Sequence, residues 1–275
     1  MSKKESIEDL RKICQTKTNE PFLTPFVRKG SIYITSVLIR TPISANQITF
    51  TTILIALLAG WFLTLGEHWY SMLAGLLLQL IIVLDHVDGE VARYRRFKNH
   101  GSDDSSGKFV ENIQHIIEMP SIFVGVAYGI FNALGYMWVF ALCFSALCFF
   151  LAFRVISLYV DAICRIDEVG FVSEASIWTR IPEFKRGIEH LSIFQRLYRS
   201  EHLREAVFTI FRSEFLDILV LLAAVANQLW VVLFLHGILF PPLVVAYTLV
   251  SYRQLRHARA RPLLASLTGS VAYPP

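Results

Sequence analysis

Asp85, Asp88, Gly89, Ala92 and Arg93 stand together in "LDHVDGEVAR", and Glu111 and His115 follow in "GKFVENIQH". On a helix, Asp85, Asp88 and Ala92 share one face through three- and four-residue spacing. Glu111 and His115, four apart, share a face of the next apolar run. Two neighbouring antiparallel helices with these faces turned together would bring three carboxylates and an imidazole to one point. Carboxylates crowded at membrane depth repel one another or take up protons. A divalent cation removes that repulsion, and hard Mg2+ or Mn2+ prefers carboxylate oxygen. Gly89 and Gly107 would let a backbone, or a ligand's phosphates, approach closely. "DHVDG" is not a calcium loop, because the ligand alternation and closing glutamate are wrong. Arg95, Arg96, Lys98, Asp103 and Asp104 read as solvated charges at a helix end.

The elements that must position these residues are membrane helices. The chain has 275 residues, of which 54% are hydrophobic and only 17% charged, against about a quarter charged in a soluble domain. Its mean hydropathy is +0.49. Apolar windows of about 20 residues, enough to span a bilayer, predict six helices at 48–65, 70–88, 108–130, 136–160, 206–226 and 229–251. The fold class expected is an all-α integral membrane protein with six transmembrane helices and N-terminal amphipathic surface helices.

Charge sets the expected orientation. Of 26 Lys and Arg, 8 lie in residues 1–46, 5 between Arg93 and Lys108, 7 between Arg165 and Arg204, and 4 after Tyr252. The opposite connections, around Gly66–Trp69, Phe131–Tyr136 and Asn227–Trp230, have none. This asymmetry places both termini and the charged stretch on the cytoplasmic side of the cell membrane. Trp61, Trp69, Trp138 and Trp230 near the far-side ends suit an aromatic belt. The chain divides into a juxtamembrane segment (1–40), a six-helix transmembrane domain (41–255, with a cytoplasmic loop at 161–205) and a tail (256–275). The lipid bilayer is the expected surrounding, and no nucleic acid is an expected partner.

Ile7, Leu10, Ile13 and Cys14 fall on one helical face near the start, and "SIYITSVLI" is too short to span, so both read as helices lying on the membrane surface. The charged beginning, without a cleavable apolar core, does not read as a signal peptide. The four cysteines (Cys14, Cys143, Cys148, Cys164) have no metal-ligand spacing and read as reduced packing residues. Ile188, Leu191, Phe194 and Leu197 recur at helical spacing among basic residues, which suits a surface helix, a lid or packed cytoplasmic structure.

Charges inside later spans hint at a second polar pocket. "FRSEFLDIL" carries Arg212, Glu214 and Asp217, and Arg154 sits in the fourth span. Such residues are costly in lipid, so they line a polar cavity for a ligand or form an internal ion pair that fixes helix packing. Pro241–Pro242 predicts a kink in the last span.

The residues from Asp85 to Arg93 match every fixed position of D-x2-D-G-x2-A-R. That is the first half-motif of the CDP-alcohol phosphotransferases (CDP-alcohol phosphatidyltransferases), six-helix membrane enzymes of phospholipid synthesis, and the chain resembles them. "TPISANQIT" (Thr41–Thr49) is similar to the family's Pro-Asn-x-x-Thr lead into the first span, with Ala45 in place of the proline. The second half-motif, usually eight residues on, is G-x3-D-x3-D. Here 13 residues separate Arg93 from Gly107, and Glu111 and His115 stand where the family has aspartates.

The resemblance implies divalent metals, Mg2+ or Mn2+, held by Asp85, Asp88, Glu111 and His115. It implies a CDP-linked alcohol donor, a hydroxyl acceptor, CMP as leaving group, and a homodimer. Asp88, Glu111 and His115 would be catalytic, and Asp85, Gly89, Ala92, Arg93 and Gly107 would bind nucleotide. His115 could be the general base or a metal ligand, since imidazole serves both roles. Two other readings stand beside the enzyme: a polytopic transporter, and a degenerate member that binds nucleotide or lipid without turnover.

Overall fold

The computed structural model describes residues 6–15, 24–98, 106–166, 213–249 and 251–252 of the chain. Every regular element among them is a helix. They are α1 (Ile7–Cys14), α2 (Thr24–Leu38), α3 (Ala45–Thr64), α4 (His68–Lys98), α5 (Ser106–Leu134), α6 (Trp138–Ile166) and α7 (Ser213–Val225), followed by α8 (Trp230–Leu249).

Five helices are long and apolar enough to cross a membrane: α3, α4, α5 from Phe109, α6 to Val160, and α8. These correspond to five of the six expected spans. The other, expected at 206–226, is described only over the 13 residues of α7, so its predicted start lies outside the described residues. The loop 167–212 and the tail from 253 also lie outside them.

Helix α3 starts on a reciprocal cap. The Gln47 amide donates to Ser44 Oγ at 3.2 Å, and the Ser44 amide donates to Gln47 Oε1 at 2.8 Å, satisfying two donors that a helix start leaves open. The helix then turns into α4 at Gly66, whose φ of 72° is left-handed and suits a residue without Cβ. Helices α3, α4 and α5 form the centre, with α7 against α4, and α8 against α5 and α6. The main core runs through Ala59, Leu63, Leu78, Ile122, Phe123, Val220 and Leu233.

Helices α3 and α5 meet almost backbone to backbone. A Cβ at Gly60 would come 2.8 Å from the Ser121 carbonyl oxygen, and Cβ atoms at Gly125 and Gly129 would run into the carbonyls of Gly60 and Leu63. Small residues at such seams suit membrane helices, where close backbone packing supplies much of the association energy.

In place of an expected kink, the last span shows an irregular turn. A π-helical turn, Leu235–Leu239, precedes Pro241–Pro242, and the helix continues to Leu249. Pro241 has no N–H to give to the Gly237 carbonyl. Ser145 Oγ of α6 donates to that oxygen instead, at 2.7 Å.

The two N-terminal helices form, but protein takes up the apolar face of α1. Leu10 and Cys14 are buried against Ile32 of α2 and Tyr94 of α4, with Ile7 and Ile13 packed alongside. Cys14, Cys143 and Cys148 are free thiols, as expected; the side chain of Cys164 lies outside the description.

Candidate functional site

Helix α4 has 31 residues, about 46 Å at 1.5 Å per residue, longer than the roughly 30 Å hydrocarbon core. Asp85 lies about 26 Å along it, close to where the helix leaves the apolar layer. At that level a cavity of about 230 Å³ is lined by Arg28, Asp85, His86, Asp88, Gly89, Arg93, Glu111 and Glu214. These residues come from α2, α4, α5 and α7, so four helices contribute to one hollow.

Neighbouring helices hold the wall in place. Thr49 Oγ1, one turn into α3, donates to Asp88 Oδ2 at 2.7 Å. The cap at Ser44 fixes where α3 begins and therefore where Thr49 points. Arg93 Nε donates to the carbonyl of Cys14, and its guanidinium lies across Gly89, where a Cβ would come 3.3 Å from Nη1. Gly89 thus makes room for the arginine four residues on. His86 Nδ1 lies 2.8 Å from the Ile82 carbonyl, so it donates there and its other nitrogen carries no proton when the ring is neutral.

A second polar layer lies one turn further along α5. His115 Nδ1 is 3.3 Å from Glu118 Oε2. Asp85 is within electrostatic reach of His115, Glu111 and Glu118, and Asp217 is within reach of Glu118, Asp85 and Glu214. Glu118 and Asp217 are each 1% exposed. Glu118 Oε1, Asp217 Oδ1 and both amide atoms of Gln114 have no hydrogen-bond partner among the described residues. Buried polar atoms in that condition are costly unless something else satisfies them.

Of the residues expected from sequence, the structure brings Asp85, Asp88, Gly89, Arg93, Glu111 and Glu214 to one cavity. Glu111 is exposed at its rim. His115 stands behind Asp85 and turns to Glu118 instead of lining the cavity. Ala92 is exposed, and Gly107 sits near Asn46 at the start of α3; neither is on the wall. Arg154 Nη2 donates to Asn112 Oδ1 at 2.8 Å, and Arg212 lies outside the described residues.

Sequence reasoning missed Arg28, His86, Glu90 and Glu118. Glu118 was findable, since Glu111, His115 and Glu118 follow the spacing of one helix face. His86 and Glu90 stand at the variable positions of a motif whose fixed residues drew attention. Arg28 is remote in sequence, and only packing reveals it.

The residue types suit a divalent cation, with Asp85, Asp88 and Glu111 offering hard oxygen donors on one wall. Among the described residues, no three His, Cys, Asp or Glu side chains are grouped closely enough to hold a metal ion. The donor set is therefore chemically apt and spatially open.

No curated protein matches the chain. A family model described as CDP-alcohol phosphatidyltransferase matches residues 42–185, a stretch holding Thr49, the whole α4 motif, Glu111, His115 and Glu118. The match covers more than half of the chain, which belongs to the CDP-alcohol phosphatidyltransferase family, transferases that move a phospho-alcohol group from a CDP-alcohol.

Proposed function

We propose that the protein is an active phosphotransferase of phospholipid-type synthesis, moving a phosphatidyl or small phospho-alcohol group from a CDP-alcohol to a hydroxyl acceptor and releasing CMP. The observation that carries this reading is the single cavity lined by Asp85, Asp88, Glu111 and Arg93 at the membrane-edge end of α4. The charge asymmetry of the loops supports a multi-pass protein of the cell membrane with this end, and both termini, on the cytoplasmic side.

Asp85, Asp88 and Glu111 would hold a divalent ion, Mg2+ or Mn2+, by drawing closer together than they stand here. When bound, such an ion offsets charge on the donor's pyrophosphate and on the departing CMP. Arg93 meets the phosphates with a planar pair of donors, and Gly89 leaves space for that guanidinium. The acceptor oxygen attacks the phosphorus that carries the alcohol, the bond from that phosphorus to CMP breaks, and the acceptor loses its proton. His115 takes that proton at Nε2 while Glu118 accepts from Nδ1 and holds the ring. The acceptor occupies the polar layer of Glu214 and Asp217, whose carboxylates take its hydroxyls or an amine, with Arg154 beside it. A homodimer is part of this reading.

A second reading, a member that binds without turnover, is favoured by the open spacing of the carboxylates. Metal-dependent CMP release from lipid-reconstituted protein separates the two. The donors would be CDP-diacylglycerol, CDP-choline, CDP-ethanolamine and CDP-glycerol, with a cell extract as acceptor source. Release that needs Asp88 establishes the transferase. No release, with nucleotide still bound, establishes the second reading.

A further inference from the structure

Residues before 42 lie outside the family match, yet one of them, Arg28, lines the cavity. The chain fixes it there through Glu90, a carboxylate on α4 that is 0% exposed. Glu90 Oε1 accepts from Gln15 Nε2 and from Ser31 Oγ, each at 2.7 Å, and Oε2 accepts from Thr35 Oγ1 at 2.6 Å. The same Gln15 amide nitrogen donates to the Arg28 carbonyl at 2.8 Å. Arg28, Ser31 and Thr35 share one face of α2 by helical spacing, so the face that grips Glu90 is also the one that carries Arg28. The end of α1 is held a second time, through the bond from Arg93 Nε to the Cys14 carbonyl.

A carboxylate this deeply buried is tolerable only when its oxygens are well served. Three donors, Gln15 just past α1 and Ser31 and Thr35 on α2, therefore form a latch that is costly to half-open. The latch also holds two guanidiniums on one wall, for Arg93 is within electrostatic reach of Arg28. Like charges held together in a cavity favour an anion between them, and paired guanidiniums suit phosphate oxygens.

We propose that the α1–α2 segment is part of the donor site: Glu90 latches it to α4, and Arg28 works with Arg93 to bind the diphosphate of a cytidine diphosphate. This rests on the transferase reading above. Glu90 is a positioning residue: it holds Arg28 through the latch and also faces Arg93 directly.

The test is titration of CDP into the full-length protein in lipid nanodiscs, by calorimetry. Arg28→Ala should weaken CDP binding about tenfold or more, as loss of a charge-assisted contact does, and Arg28→Lys should restore part of it. Glu90→Gln should weaken CDP binding in the wild-type background and clearly less in the Arg28→Ala background, because the part of its effect that runs through Arg28 is then already lost. Hydrogen exchange over residues 24–38 should quicken in Glu90→Gln alone. Wild-type affinity in Arg28→Ala overturns the proposal while leaving the transferase reading intact. Failure of the wild type itself to bind CDP overturns both. Should Glu90→Gln not fold, Arg28→Ala still decides, since its side chain is no part of the latch.

Discussion

Thr49 donates its hydroxyl hydrogen to Asp88 across 2.7 Å, tying the second aspartate of the α4 motif to the start of the first membrane helix. A hydrogen bond to a charged group contributes about 1.5–3 kcal/mol, and here it also fixes the direction of the carboxylate. Thr49→Val keeps the shape and removes the donor. It should lower CMP release about tenfold or more in protein that still folds, and Thr49→Ser should recover most of the rate. An unchanged rate in the valine variant would mean that Asp88 needs no such orientation.

The three carboxylates should not be equivalent. Asp85 and Asp88 lie within the wall of α4, whereas Glu111 is exposed at the rim. Asp85→Asn and Asp88→Asn should each cut turnover by about a thousandfold, the scale of losing a principal electrostatic stabiliser. Glu111→Gln should cost less, because at the exposed rim a water or the new amide oxygen can take over its ligand position. Equal losses at all three positions would place Glu111 as close to the reacting phosphates as the aspartates.

Chelation should silence the enzyme reversibly. EDTA-treated protein should release no CMP, and Mn2+ or Mg2+ should restore release in the wild type but not in Asp88→Asn. Full activity after exhaustive chelation would assign the carboxylates a different task. Binding of Mn2+ can be followed separately by electron paramagnetic resonance, which distinguishes a lost ion from a lost reaction.

The seam between α3 and α5 gives a stability prediction independent of any chemistry. A Cβ at Gly125 would strike the carbonyl of Gly60 and approach Leu63, and backbone cannot move aside as a flexible side chain can. Overpacking of this kind costs about 1–3 kcal/mol. Gly125→Ala should therefore lower the thermal-unfolding midpoint in detergent by several degrees. An unmoved midpoint would show that the two helices can separate at little cost.

The sequence was legible where physics acts locally. Apolar length predicted five spans that the structure contains. The faces of Asp85, Asp88 and Ala92 and of Glu111 and His115 were expected to meet; Asp85, Asp88 and Glu111 line one cavity, while Ala92 and His115 do not. Pro241 announced an irregularity, though not that Ser145 would serve the carbonyl it frees. The α1 face of Ile7, Leu10, Ile13 and Cys14 announced a helix but not its partner, because one apolar stripe fits lipid or protein equally well. Glu90 and Arg28 were invisible for a related reason. A carboxylate beside a motif reads as solvated until packing brings Gln15, Ser31 and Thr35 to it.

The His115–Glu118 pair leaves one imidazole nitrogen available for either of two roles, general base or metal ligand. His115 Nδ1 faces Glu118 Oε2 at 3.3 Å, and a proton held there leaves Nε2 to act as base. A base of this kind contributes about 10²–10⁴-fold. His115→Ala should lose rate on that scale while binding Mn2+ as the wild type does. Glu118→Gln, which keeps a hydrogen-bond acceptor but removes the charge, should fall between the two. If His115→Ala instead abolishes the Mn2+ signal, the imidazole is a ligand, and the acceptor's proton must leave through another group, of which His86 on the cavity wall is the nearest in kind.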